Sequence, residues 1–243
     1  MNTKNITPDA EKSSIEQFAE PPKDRYCDLV MKGGITSGVV YPRAITRLSH
    51  HYRFKGIGGT SAGAIAAAIT AAAEYQRRKC GSRKGFDLLY DLPVELSKPI
   101  KQHSKKSKLL SLFQPQPNTR RLFTVLIKTL NQSNTIRRWL AGSKGMLLAY
   151  WPATAVSIAL GFVFALNGAW FAGLLSVVII SLVGIGILVY FDITRGVVAN
   201  GFGLCNGMSE KKDQDALTQW LHKMIQSAAG QSVDGIPLTF GDI

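Results

Sequence analysis

Acidic residues are scarce in this chain, 16 against 29 lysines and arginines, and the net charge is +13. Such a surplus favours a polyanionic partner, either nucleic acid or an anionic membrane surface. Cysteine is rarer still. Cys27, Cys80 and Cys205 stand far apart without a C-x-x-C pair. That excludes a zinc ribbon and offers no disulfide framework, so a reducing compartment is the default. No apolar run follows the start: residues 1–26 are polar, charged and carry a Pro-Pro pair. This excludes a secretory signal and predicts a flexible tail. The sequons at Asn5 and Asn131 would matter only outside the cytosol. Residues 96–145 lack any acid, while Lys98, Lys101, Lys105, Lys106, Lys108, Arg120, Arg121, Lys128, Arg137, Arg138 and Lys144 fall within them. Residues 145–191 carry no charge of either sign.

What is present divides the remainder into four zones. Over 27–95, CDLVM (27–31) and FKGIG (54–58) read as short strands, each running into a glycine-rich turn and a helix-forming segment. Strand, glycine turn, helix, repeated, is the grammar of a parallel α/β sheet. Within the basic zone, RRLFTVLIKTLNQ has the pattern of an amphipathic helix, and Pro115 and Pro117 break the segment before it. The uncharged zone, 146–191, has two apolar halves, 147–166 and 170–191, joined by Asn167-Gly168. Each meets the ~20 residues that span hydrocarbon. Tyr150, Trp151, Trp170 and Tyr190 lie near their ends, as in an aromatic belt. Neither half has the polar stripe of a buried core helix. The pattern therefore predicts a transmembrane hairpin, and the basic residues on both sides put its two ends in the cytoplasm. Residues 192–243 return to globular composition. Ala216, Leu217, Trp220, Leu221, Met224 and Ile225 repeat at helical spacing, with Asp213 as the expected N-cap. The glycine-rich GFGLCNG (201–207) has no clear strand leading into it and is a weak phosphate-binding signal.

Chemistry concentrates in GIGGTSAGAIAAAIT (56–70). Gly59-Thr60-Ser61-Ala62-Gly63 fits G-x-S-x-G, in which a serine sits on a cramped strand-to-helix turn. Gly59 and Gly63 give the elbow room, and the alanines supply a helix whose positive end faces a developing oxyanion. A dinucleotide loop is the competing reading. Here Ser61 stands where the third glycine of G-x-G-x-x-G should be, and no acidic residue follows at the expected strand end. Upstream, MKGGITSG (31–38) adds Gly33, Gly34 and Gly38, whose N–H groups are oxyanion-hole candidates. His50 and His51 precede the strand leading to Ser61, so a His–Ser pair is one option and an exposed turn the other; His103 and His222 read as structural or solvated.

Together MKGGITSG and GIGGTSAGA resemble the patatin-like phospholipases, most densely over 27–75 and again in PLTFGD (237–242), similar to a segment of large bacterial membrane-associated members. The resemblance implies a three-layer α/β/α core, here incomplete and interrupted by the two-helix transmembrane hairpin. It implies acyl-ester hydrolysis of lipids without cofactor or metal, Ser61 as nucleophile, Gly33, Gly34 and Ala62 as oxyanion donors, and an aspartate base in a downstream D-G-G/A motif. Two departures stand out. Ile35 and Ser37 replace a loop glycine and arginine, and the D-G-G/A motif is missing, Asp234-Gly235-Ile236 being the nearest match; Asp242 is no better placed. The chain therefore reads as unfinished, with a downstream polypeptide as a candidate source of the base. The expected partners are membrane phospholipid or another lipid ester, plus an anionic membrane surface for residues 98–144. Phe113, Phe123 and Trp139 are too irregularly spaced to stack on nucleic acid, so no nucleic-acid partner is expected. The alternative is an inactive membrane module, or one half of a split enzyme.

Overall fold

The computed structural model describes residues 20–34, 37–100, 107–209 and 213–243. Most of the predicted 1–26 tail, Ile35, the Ser37 side chain, Lys101, His103, Lys105, Lys106, Lys211 and Lys212 lie outside the described residues. Two compact units emerge. One comprises the described residues up to Leu112 together with Ser209–Ile243, and the other Phe113–Met208.

In the first unit, β1 (Tyr26–Met31) and β2 (Arg53–Gly59) pair in parallel, with α1 (Ser37–Leu48) as the crossover. The strands match the expected ones to within a residue or two at either end. A register irregularity at Asp28 is held by its own side chain, whose Oδ1 accepts the Gly56 N–H at 2.8 Å. From β2 the chain enters α2 (Ala62–Cys80), whose alanine-rich sequence favours helix. It closes on Gly81 at φ 65°, a left-handed cap that glycine adopts without strain. Then follow α3 (Lys84–Ser97), α4 (Lys108–Ser111) and, after the second unit, α9 (Leu217–Ala228). The core gathers Met31 and Phe54 from the strands with Ile69, Ala72 and Ala73 of α2, Phe86 and Leu89 of α3, and Trp220 and Met224 of α9. The 216–225 stripe thus packs inward. Its cap does not fall on Asp213: the helix starts at Leu217, with Ala216 in the N-cap position. There Gln219 Oε1 takes the Ala216 N–H at 3.0 Å, doing the work expected of a capping side chain.

The expected three-layer core is not what the described residues form. Their sheet has two strands, and most of the ordered chain is helical. One face of β1 is covered by helices and the other is open among the described residues. Cys27, Leu29 and Met31 turn toward the helices, while Tyr26, Asp28 and Val30 lie on an open face, Val30 being 91% exposed.

In the second unit, α5 (Arg120–Leu130) and α6 (Thr135–Ala149) pack on each other, as do α7 (Trp151–Leu166) and α8 (Trp170–Phe191). The α7–α8 contact is antiparallel. Ser157 and Ser181 hydroxyls meet at 2.6 Å, and a Cβ on Gly161 would stand 2.9 Å from the Gly173 carbonyl oxygen. At the open end of the pair, Tyr150 donates to Asp192 Oδ2 at 2.9 Å. The first apolar half is not one 20-residue helix. It breaks at Tyr150 (φ −108°, ψ 36°), leaving α7 with 16 residues, about 24 Å of rise. Pro152 explains the break: it cannot donate to a preceding turn and fits the first turn of a new helix. Among the described residues, one helix is by itself long and apolar enough to cross a membrane, α8 with its π turn (Trp170–Val197, mean hydropathy 2.7). The α6–α7 pair meets that test only jointly and is bent by 84°. GFGLCNG forms turns, with Cys205 bridged to Pro115.

Candidate active site

Parallel pairing sets Met31 beside Gly59, so both glycine turns leave the sheet from the same end. Thr60 N–H then donates to the Met31 carbonyl at 3.0 Å, and Gly33 N–H donates to Thr60 Oγ1 at 3.2 Å. The first turn is tied to α1 by Tyr41, whose hydroxyl donates to the Lys32 carbonyl at 2.8 Å.

Space explains the glycines. A Cβ on Gly33 would lie 2.7 Å from Ser61 Cβ and from the Thr60 carbonyl oxygen. On Gly63 it would lie 2.4 Å from the Met31 carbonyl, and on Gly59 2.3 Å from that of Gly63. Such contacts are impossible, so Gly59 and Gly63 let α2 start hard against the strands, and Gly33 lets the upstream turn touch the serine. Gly38 differs. It lies within α1, and a Cβ there would meet nothing within 4 Å.

Ser61 occupies the elbow with φ 54° and ψ −125°, a backbone state that L residues rarely adopt and that costs about 1–3 kcal/mol. It is exposed and sits at the N-cap of a 19-residue helix with no acid in its first turn. Its hydroxyl does not cap the helix. Ala64 N–H bonds to the Ser61 carbonyl and Gly63 N–H to that of Thr60, both at 2.9 Å. The backbone N–H groups of Ala62 and Gly34 make no hydrogen bond among the described residues, whereas that of Gly33 is taken by Thr60. The Thr60 clasp was invisible in the sequence, because the second position of G-x-S-x-G carries no rule about its side chain.

The carboxylate candidates lie elsewhere. Asp234 sits on an exposed turn closed by the Gly235 N–H to the Ser232 carbonyl at 3.1 Å. Asp242 accepts the Thr239 N–H and hydroxyl at 2.8 and 2.7 Å, which hold its carboxyl below the usual range. Among the described residues neither hydrogen-bonds Ser61. His50 does not pair with Ser61 either. It precedes β2 while Ser61 follows it, a separation of about 20 Å along the strand. Nor is it an exposed turn residue: it is 8% exposed, and burial, with Arg83, His51 and Arg77 nearby, pushes its pKa down to about 4. His51 is exposed. His222 faces the Val233 carbonyl at 3.3 Å.

A serine held at positive φ between a parallel strand and a helix, with a second glycine turn against it, is the strand–turn–helix geometry of a G-x-S-x-G elbow in an α/β segment. Residues 29–144, just under half of the chain, are similar to the patatin-like phospholipase family. Over 236 residues the chain is also 35% identical to the RpoH suppressor of Rhizobium meliloti (strain 1021), covering 90% of this chain. The chain spans 36%, about a third, of that relative's length. No solved structure matches.

Proposed function

We propose that this protein is a membrane-anchored serine lipid acyl hydrolase of phospholipase A type. The observation that carries the reading is the contact of the Gly33 turn with an exposed, strained Ser61. In the proposed reaction, Ser61 Oγ attacks the ester carbonyl carbon and its proton passes to a carboxylate. The Ala62 and Gly34 N–H groups stabilise the oxyanion, and Gly33 joins them when a ligand oxygen displaces Thr60 Oγ1. Collapse of the tetrahedral adduct expels the alcohol, which takes the proton, and water then releases the acyl group from Ser61. Asp234 is the chain's own candidate for the base, and an aspartate on a companion polypeptide is the other. The uncharged pair α7–α8 is assigned to the bilayer, with two spans and both ends cytoplasmic. Its outward Leu, Val and Ile side chains and the basic flanks support that assignment.

A fluorophosphonate probe should label the protein at Ser61, and Ser61→Ala should abolish labelling; equal labelling of the variant would end the nucleophile assignment. Among the described residues neither aspartate bonds Ser61, and the D-G-G/A motif and the loop arginine are absent from the sequence, which favours a second reading, a non-hydrolytic membrane module. Labelling without phospholipid hydrolysis, unchanged by added downstream polypeptide, would establish it.

A further inference from the structure

The helix before the apolar pair presents a surface that the hydrolase reading leaves unused. On α6, Ile136, Trp139 and Leu140 are 69%, 76% and 65% exposed. At 100° per residue they share one arc with Ser143 and Leu147, flanked by Arg137 and Lys144. The opposite side is taken by α5. A Cβ on Gly145 would touch Val125, and one on Gly142 would lie 3.3 Å from Thr129 Oγ1. The exposed apolar arc is therefore not a core stripe awaiting α5. A groove of about 450 Å³, lined by Val125, Thr129, Trp139, Gly142 and Met146 among others, opens beside it.

Orientation and charge add two separate constraints. Because α6 and α7 meet at 84°, an α7 that runs along a bilayer normal leaves α6 lying nearly in the membrane plane. The level of the bend carries polar groups: Tyr150 bonds Asp192, and Arg121 Nη1 stands 3.8 Å from the same carboxylate. Apolar chain runs to one side of that level. The helices α5 and α6 carry Arg120, Arg121, Lys128, Arg137, Arg138 and Lys144 without one acid.

We infer that α6 is an in-plane anchor, lying at the headgroup–acyl boundary of an anionic bilayer with Ile136, Trp139 and Leu140 inserted and Arg137 and Lys144 against lipid phosphates. The inference rests on the assignment of α7–α8 to the bilayer. Bulky apolar side chains flanked by cations are what such a boundary rewards, and a water-facing α6 would leave Trp139 exposed without gain.

The test uses the full chain with its three cysteines replaced by serine, reconstituted in phosphatidylcholine vesicles with and without phosphatidylglycerol. Single cysteines at 136, 139, 140, 137, 144, 158 and 179 carry a nitroxide, and oxygen and an aqueous nickel chelate serve as relaxants. In anionic vesicles, labels at 136, 139 and 140 should favour oxygen at a shallow depth, about 5–10 Å below the phosphates. Those at 137 and 144 should favour the chelate, and the double reversal Arg137→Glu/Lys144→Glu should lift the arc labels toward water. Arc labels fully open to the chelate, with 158 and 179 still embedded, would overturn the anchor and spare the bilayer assignment. Labels at 158 and 179 in water would overturn both.

Discussion

Ser61 shows how little freedom the elbow position leaves its residues. Three glycines are needed at positions where even a methyl group would collide with backbone, and the serine itself takes the strained conformation. Gly33→Ala would force the upstream turn off Ser61. An ångström-scale shift of that kind lowers reactivity about 100-fold. We expect the fluorophosphonate labelling rate to fall by that order, while Gly58→Ala, whose Cβ meets nothing within 4 Å, keeps it. The serine and its glycines were legible because a tight elbow tolerates few residue types. The Thr60 clasp and the burial of His50 were not, since both depend on which strand end a side chain reaches after pairing. An adjacent histidine pair carries no mark of which member turns inward.

Among the elements, α2 is both the helix behind the serine and a clamp on the turn that precedes β2. Its buried Arg77 pairs with Glu74, donates to the Ser49 carbonyl at 2.6 Å and the Tyr52 carbonyl at 3.0 Å, and covers the rings of Phe54 and Phe86. Burial pushes its pKa down, and Glu74 opposes that shift. Removing one member of such a pair strands the other charge. Arg77→Met should cost about 3–5 kcal/mol in a denaturant titration. Arg77→Lys should recover only part, because an ammonium cannot serve three acceptors in the fork geometry of a guanidinium. At this scale β1, β2, the amphipathic α5 and the stripe on α9 could be read from spacing. The break at Tyr150 could not be read from hydropathy, which is blind to the direction a helix takes after proline. The Pro152 that causes it stands in plain sight in the sequence.

At the scale of the whole molecule, stability should depend on acidity through His50. Its folded pKa is depressed, so between about 4 and 6.5 the unfolded chain binds a proton that the folded one refuses. Stability is therefore full above pH 6.5 and is lost as pH falls through this window, by ~3 kcal/mol at most. Thermal unfolding in detergent should show the slope, and His50→Gln should flatten it whatever its own midpoint. The division into two units was only half legible. The change from acid-free to uncharged sequence announced a distinct region, yet the boundary falls near Leu112, inside the basic stretch, because α4 packs on α3 and Leu112 joins the first unit's core. Layer count was not legible either, since alternation in one short strand cannot reveal what covers its second face.

The strain at Ser61 also fixes an order of events. Its φ of 54° is held at a junction, by the Thr60 bond to Met31 on the strand side and by the Gly63 and Ala64 N–H groups of α2 on the other. Loosening β1 from β2 would break the strand half of that junction while leaving α2 intact, so fluorophosphonate labelling should fall before the helical circular-dichroism signal does.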